Sequence, residues 1–491
     1  MTIQTTDRRL YNEPLAGDRL DEICNPDPAS DTELRDKDHE TVNHVRRFTL
    51  NAIALQKKLR GLEATLETTF IDSSITPEKI AYDYREGSTE KERTAKGVVP
   101  FKADMSRHSE ALSKALSRAR KTDNPKKHKV AAGSLGGTNS IIGEGTISEN
   151  GKKDIETESS KKFEDKQYET AEEFWQAVFP ADFAEILSKS IEDGKLYFGF
   201  TIAHPVIDGF LREGKYNCPE LTDGSVTIED SLKDYISAQG IIAKEDINVS
   251  VNIPVASNDT IPTCLAHFDR FDEYEGKHLW SLIIGTGANA YINGSVTEFG
   301  DYCGFKPHYF DTEQPTAEDT VTIDHIVAGG KMGDTFKFAA SHFVDANDPV
   351  AKEIQKLSND DATKLVFDLT YGESTNLSEN LSMENNSLLK TLAKRFVERS
   401  IYYAVNILKG LTMDIEGEIV LFVDGSLLTK NQKYLAKINE ELTDSGIELV
   451  FSELNMTGDV TDKIKKDTTF AGTIALALAG KLEEEEAEKA A

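Results

Sequence analysis

Val251-Asn-Ile-Pro-Val-Ala-Ser-Asn-Asp-Thr260, Trp280-Ser-Leu-Ile-Ile-Gly-Thr-Gly-Ala-Asn-Ala290 and Glu298-Phe-Gly-Asp301 follow one another closely in the chain. The first reads as a β-prone run that delivers a carboxylate, Asp259, where a general base could work. The second is an apolar strand that delivers a glycine turn, Gly285, Thr286 and Gly287, whose bare backbone N–H groups and single hydroxyl suit a phosphate. Taken singly, each piece has a plainer reading. Asn-Asp-Thr at a strand end is often a turn whose side chain bonds its own backbone, and Gly-Thr-Gly alone is a weak signal. Their order and context give them weight.

Working outward, Val130-Ala-Ala-Gly-Ser-Leu-Gly-Gly-Thr-Asn139, followed by Ile141, Ile142 and Gly143, reads as strand, glycine turn, strand. Gly136, Gly137, Thr138 and Asn139 form a second phosphate-sized turn. Leu196-Tyr-Phe-Gly-Phe-Thr-Ile-Ala-His-Pro205 is a strand running into a turn, in which His204 reads more simply as exposed than as a ligand. Ala328-Gly-Gly-Lys-Met-Gly-Asp334 ends in a carboxylate that could equally be a helix cap. Glu418-Ile-Val-Leu-Phe-Val-Asp-Gly-Ser426 is a buried strand ending in a turn.

These segments, in this order from about Val130 to Gly480, resemble the hexokinase family of sugar kinases. The resemblance implies an α/β, two-domain, actin-like ATPase fold (hexokinase, ribonuclease H-like), each domain a five-stranded mixed sheet with helices, and a cleft between them. Strand–helix alternation points to α/β independently. The resemblance further implies transfer of the ATP γ-phosphate to the 6-hydroxyl of a hexose such as glucose, with Mg2+ held through phosphate and water. Asp259 would be the base. Asn258, Thr201, Lys215, Glu298 and Asp334 would bind sugar. Gly136, Gly137, Thr138, Asn139, Gly285, Thr286, Gly287, Gly425 and Ser426 would hold the nucleotide. Departures are clustered: Ser134 and Ile141 stand where the family has Asp and Arg, Ala203 replaces a hydroxyl residue, and only Lys215 answers to a sugar-contacting Thr-Lys pair. Ser134 is left at most an indirect role near the metal. These losses open a second reading, a catalytically impaired sugar sensor or scaffold subunit.

Composition narrows the field. With 56 basic and 85 acidic residues the net charge is -29, which repels nucleic acid and anionic membranes and favours solubility. Cys24, Cys218, Cys264 and Cys303 are scattered, without the spacing of a zinc site or a disulfide framework. No apolar run approaches the ~18 residues of a membrane span, and acidic residues appear early, so a cytoplasmic location without a transit peptide is expected.

Residues 1–40 read as a polar, disordered acidic arm and 41–126 as a helical extension. Residues 127–257 read as the small domain, joined by a C-terminal helix at 468–491, and 258–467 as the large domain. Val45, Phe48, Ala52, Leu55, Leu59, Leu62 and Leu66 recur three and four apart, a helix stripe that either docks on its own domain or meets a partner or second copy through 45–66. The basic stretch Arg107 to Lys129 reads as a charge-balancing helix face, and 147–168 as a polar loop.

Overall fold

The computed structural model describes residues 36–67, 70–84, 89–98, 100–103, 105–136, 139–163, 166–203, 206–207, 209–211, 218–250, 259–313, 320–344, 349–372, 383–451, 453–458, 461 and 467–490. In chain order, β1 (Phe101–Lys102) is followed by β2 (Lys127–Leu135), β3 (Asn139–Ser148), β4 (Lys153–Lys162) and β5 (Leu196–Ile202). A hairpin of β6 (Val206–Ile207) and β7 (Phe210–Leu211) precedes β8 (Ile247–Ser250). The second half supplies β9 (His278–Ile284), β10 (Ala288–Ile292), β11 (Ser295–Val296), β12 (Ile419–Asp424), β13 (Ile447–Val450) and β14 (Met456–Gly458).

One sheet runs β14-β4-β3-β2-β5-β8 and the other β1-β11-β10-β9-β12-β13. Both repeat one plan. β2 pairs antiparallel with β3 and parallel with β5, just as β9 pairs antiparallel with β10 and parallel with β12. The β2–β3 and β9–β10 connections therefore occupy equivalent places in their sheets. Central strands such as β5 and β12 are apolar nearly throughout, as strands covered on both faces must be.

Among the described residues each sheet has six strands rather than the expected five. The additional ones, β1 and β14, are two and three residues long, too short to leave a periodic signal. β1 lies within 41–126 yet joins the second sheet, and β14 lies within 258–467 yet joins the first. The stretch 147–168 holds β4 instead of a loop. Its polarity follows from its position: β14 covers only Lys153 to Ile155, so the rest of the strand is an open edge carrying Glu, Ser and Lys.

Helix α1 (Asp36–Glu67) starts inside the segment expected to be an arm, most of which lies outside the described residues. Its last turns are docked, with Leu62 and Leu66 buried and Leu55 and Leu59 partly so, whereas Leu50 is exposed. The side chains of Val45 and Phe48 lie outside the described residues. Helix α2 (Ser106–Ala119) buries Ala111, Leu112, Ala115 and Leu116. Helices α3 (Thr260–Leu265), α4 (Gly329–Phe343) and α5 (Met383–Thr412) belong to the larger core, where Arg399 of α5 forms a buried two-pronged pair with Asp311.

Helix α6 (Thr468–Ala490) joins the two sheets. Its run Phe470-Ala-Gly-Thr-Ile-Ala-Leu-Ala-Leu-Ala479 is buried, and the small residues let backbones meet. A Cβ on Gly472 would stand 1.7 Å from the Pro262 carbonyl oxygen of α3, and a Cβ on Gly199 of β5 would stand 2.2 Å from the Thr473 carbonyl oxygen. The Thr473 hydroxyl meets that of Thr201 at 2.8 Å. Lys153, at the start of β4, adds a second tie: its buried ammonium donates to the Ala266 carbonyl oxygen at the end of α3, at 3.0 Å.

The acidic end of α6 accounts for the basic stretch. Glu483 pairs with His108 at 2.5 Å, Glu486 with Lys114 at 3.3 Å and Glu485 with Lys126 at 2.9 Å, while Lys195 of the first sheet pairs with Glu484 and Glu488. Each exposed pair contributes little alone, but together they fix α2 and the first sheet to one helix.

Gly472→Ala should lower the urea midpoint by an amount equivalent to about 2–3 kcal/mol, because the methyl group has no room against Pro262. Gly61→Ala, in open space on α1, should be neutral or slightly stabilising. Equal midpoints for Gly472→Ala and wild type would contradict the close-contact account.

Candidate active site

The turn between β9 and β10 is fixed from behind. The Gly285 N–H donates to the Gly287 carbonyl oxygen at 2.9 Å, the Gly285 carbonyl accepts from Gly329 N–H at 2.7 Å, and that of Thr286 accepts from Gly330 N–H at 3.0 Å. Helix α4 thus spends its first free N–H groups on holding this turn, which would otherwise be orphan donors. Gly330 is required there, since a Cβ would meet the Thr286 oxygen at 2.3 Å. The end of β12 backs onto the same turn. Gly425 has φ +96°, and a Cβ on it would stand 2.4 Å from the Ile284 carbonyl oxygen. Two glycine turns therefore abut, leaving Thr286 and Ser426 exposed.

Asp259 immediately precedes α3, whose residues are all buried, and its carbonyl oxygen accepts the Thr263 N–H at 3.1 Å and the Thr263 hydroxyl at 2.9 Å. Its place is thus set by α3, and that of α3 by the Gly472 contact of α6. Glu298 sits at φ +46°, left-handed backbone that a non-glycine residue adopts only when held. Asn289 holds it: its Oδ1 accepts the Glu298 N–H at 2.9 Å and its Nδ2 donates to Glu298 Oε1 at 2.7 Å. Asp324 Oδ1 accepts the Ala288 N–H at 2.7 Å, which ties this carboxylate to the glycine turn. Burial pushes Asp324 up to about 7, against the lowering effect of the Ala288 bond and with a further upward push from Asp301.

These elements enclose a cavity of about 420 Å³ that gathers Asp259, Glu298, Asp324, Asp424, the 285–287 turn and Ala203. A second cavity of about 340 Å³ shares Gly285, Thr286 and Ser426 with it and extends over Phe367, Lys364 and Lys430. The site therefore has an acidic compartment and an adjoining one that carries Lys364 and Lys430 beside Asp360, Asp361 and Asp368, joined across the glycine turns. Among the described residues no cluster of side chains offers a metal-ligand set of its own.

Of the residues predicted from sequence, Asp259, Glu298, Gly285, Thr286, Gly287, Gly425 and Ser426 come together here. Asn258, Lys215, Gly137, Thr138 and His204 lie outside the described residues. Gly136 and Asn139 close their hairpin through the Gly136 N–H and Asn139 carbonyl, at 2.9 Å, and do not line either cavity. Thr201 is buried against Thr473. Asp334 lies on α4, paired with Lys337 at 2.7 Å, and lines neither cavity. Ser134 is buried in β2 opposite Ile141 and Thr201, and Ile141 belongs to the core. The carboxylates missed from sequence are Asp324 and Asp424. Asp424 stood inside the Val-Asp-Gly-Ser run already singled out, whereas Asp324 sits in a short apolar stretch that reads as an ordinary helix start.

No protein-family model matches the chain, and no curated protein matches it in sequence. Solved structures do. The fold is similar to that of a hexokinase from Schistosoma mansoni complexed with glucose, at 14% identity and a TM-score of 0.56, over 86% of this chain and 99% of that one. The fold is that of the hexokinases. A second hexokinase crystal structure agrees at 16% identity and a TM-score of 0.50, over 82% of this chain and 98% of that one. The expected two-domain α/β hexokinase fold, with its cleft, is therefore observed. No helix among the described residues is long and apolar enough to cross a membrane.

Asp324 has a measurable pH signature. Its raised pKa means the folded state binds an extra proton between about pH 4 and 7, so its burial costs increasing stability as pH rises through that window and the full amount above it. Asp324→Asn keeps an acceptor for the Ala288 N–H and removes that cost. The variant's melting temperature should therefore rise relative to wild type between pH 5 and pH 8, by at least about 2 °C. A gap that is the same at both values would show that Asp324 is not buried in its charged form.

Proposed function

We propose that this chain is an ATP-dependent hexose kinase acting at the 6-hydroxyl of a sugar such as glucose. The observation that carries the reading is one cavity joining Asp259, Glu298 and Asp324 to the 285–287 turn, continuous with a second cavity beyond that turn. A sugar would sit in the acidic compartment, where Glu298 and Asp324 accept its hydroxyl protons in hydrogen bonds. Asp324 takes the part expected of Asp334, because Asp324 faces the cavity. ATP would lie across the glycine turns with its base toward Phe367, and the abutting turns fit it because side chains there would fill the space that phosphate oxygens need.

Asp259 would accept the proton of the 6-hydroxyl as the oxygen bonds to the γ-phosphorus and the bond from that phosphorus to the bridging oxygen breaks, releasing ADP. Positioning and charge neutralisation dominate such a transfer. Magnesium bound with ATP supplies neutralisation at the phosphates, held through phosphate oxygens and water. Thr286 and Ser426 would orient the phosphates by hydroxyl and backbone contacts, and closure of the cleft would exclude water. A cytoplasmic site of action, and a partner or second copy on the exposed part of α1, belong to the same proposal.

A second reading, a sugar sensor with little turnover, has its own support. Ser134 is buried within its sheet and Ile141 is in the core, so neither supplies the charge that the family's Asp and Arg bring to the phosphates. Losing one such group commonly costs ~100-fold or more in rate.

Asp259→Ala distinguishes the two. For a kinase, kcat should fall by about 10²–10⁴-fold with the sugar Kd within about threefold of wild type, since the base acts in the transition state. Unchanged kcat would remove Asp259 from the role of base. Sugar binding with no turnover in wild type would establish the sensor.

A further inference from the structure

Two short helices of the N-terminal extension, Pro77–Tyr84 and Glu90–Ala95, have no part in the site described above, yet they lie directly behind it. The first is fixed to α5. The Asp72 N–H donates to the Tyr403 hydroxyl at 3.0 Å, and the Ile75 carbonyl oxygen accepts from the Tyr402 hydroxyl at 3.0 Å. A Cβ on Gly410 of α5 would stand 2.5 Å from that of Ile80. From this footing a buried carboxylate, Asp83, reaches the segment that follows Glu298. Its Oδ2 accepts from the Tyr302 hydroxyl at 2.6 Å and from Lys79 at 3.1 Å, and its Oδ1 pairs with Lys96 at 2.5 Å. Lys79 donates further to the Tyr302 hydroxyl at 2.6 Å and to the Gly304 carbonyl oxygen, so all three of its protons have acceptors. The backbone grips the same segment. The Lys96 carbonyl oxygen accepts the Cys303 N–H at 2.8 Å, and a Cβ on Gly97, at φ +70°, would stand 1.9 Å from the Asp301 carbonyl oxygen.

Tyr302 is buried and joins both carboxylates of the sugar compartment. It closes a tight turn that starts at Glu298: its N–H donates to the Phe299 carbonyl oxygen at 3.1 Å, and that of Asp301 to the Glu298 carbonyl oxygen at 3.1 Å. Its own carbonyl oxygen accepts the N–H of Ile323, the residue before Asp324, at 2.9 Å. The turn and Asp324 also touch directly, since a Cβ on Gly300 would stand 2.3 Å from Asp324 Oδ1. Asn289 holds the Glu298 side chain, but the path of the backbone after it is set from the extension.

We propose that Asp83 is a positioning residue for the sugar compartment, which holds Glu298 and Asp324 at the spacing a hexose needs through its hydrogen bond with Tyr302. This rests on the sugar part of the reading above and not on its nucleotide part. Neither Asp83 nor Tyr302 lines the cavity, so both act through the segment between them and it. Removing the Asp83 carboxylate leaves the buried Tyr302 hydroxyl without its acceptor, while Lys79 and Lys96, each about one-third exposed, can turn to water and release residues 301–304. Phenylalanine at position 302 keeps the ring and deletes the bond.

The experiment uses the full chain. Titration calorimetry measures binding of glucose, mannose, galactose and fructose, and separately of Mg-ADP, while thermal melting follows stability. For a hexose that binds wild type, Asp83→Ala should raise Kd by at least about tenfold and Tyr302→Phe by at least about threefold, since small misplacements of binding groups are costly. The double variant should bind within about twofold of Asp83→Ala, because the two residues act through one bond. The Kd of Mg-ADP should stay within about twofold of wild type throughout. Ile80→Val, on the same helix but facing α5, should lower the melting temperature and leave hexose affinity unchanged, which separates positioning from loss of stability. If Asp83→Ala does not fold, Tyr302→Phe decides alone. Wild-type hexose affinity in folded Tyr302→Phe overturns the proposal and leaves the kinase reading intact. Equal weakening of Mg-ADP, or equal weakening of hexose in Ile80→Val, also overturns it by making the effect a general one. No hexose binding in wild type would overturn the sugar reading and this proposal together.

Discussion

The contact between Gly472 of α6 and the Pro262 carbonyl of α3 is the constraint on which the rest of the architecture depends. Two sheets of the same plan can share a cleft only if something fixes their separation. Here it is a helix of small residues, packed on the first sheet at Gly199 and on α3 at Pro262, so close that no side chain fits between the backbones. Asp259 immediately precedes α3, so the position of the candidate base follows from helix packing on the side away from the cleft. The ion pairs between the acidic end of α6 and Lys114, Lys126 and Lys195 anchor the far end of the same helix. Each is weak; their shared helix is what makes them a unit.

Charge in the cleft is mostly acidic. One compartment carries Asp259, Glu298, Asp324 and Asp424, and the adjoining one sets Lys364 and Lys430 beside Asp360, Asp361 and Asp368, with Lys364 paired to Asp368. Like charges set close together raise one another's pKa, which Asp301 does to Asp324 on top of burial. Neutral polyols that donate hydrogen bonds fit such a wall. The strained backbone of Glu298 belongs to the same economy: Asn289 makes two bonds to hold one carboxylate at a defined place.

Much of this was legible in the sequence, and for physical reasons. Apolar runs at 196–202, 280–284 and 419–423 mark buried strands, glycine at 285 and 287 marks a turn, and glycine at 425 marks one whose left-handed backbone only glycine adopts readily. What was hidden depends on tertiary neighbours. β14 and β1 are too short for any pattern. β4 looked like a loop because its exposed edge makes it polar. Asp334 stands out in the sequence because it ends a glycine-flanked run, while the place of Asp324 at the cavity rests on a hydrogen bond to Ala288, a residue 36 positions earlier. Ser134 and Ile141 are uncharged in the sequence, and their burial in strand and core adds what the sequence could not show: an arginine at 141 would be an unpaired buried cation.

The central claim is that this cleft moves a phosphoryl group from ATP to a hexose. It is tested most directly by incubating the wild-type chain with γ-labelled ATP, magnesium and a panel of hexoses, and identifying the labelled product by mass spectrometry. The account predicts label on the 6-oxygen of at least one hexose, formed only when sugar and nucleotide are both present. Label appearing solely as inorganic phosphate at the same rate with and without every sugar, or no labelled sugar under conditions where a hexose binds, would contradict it.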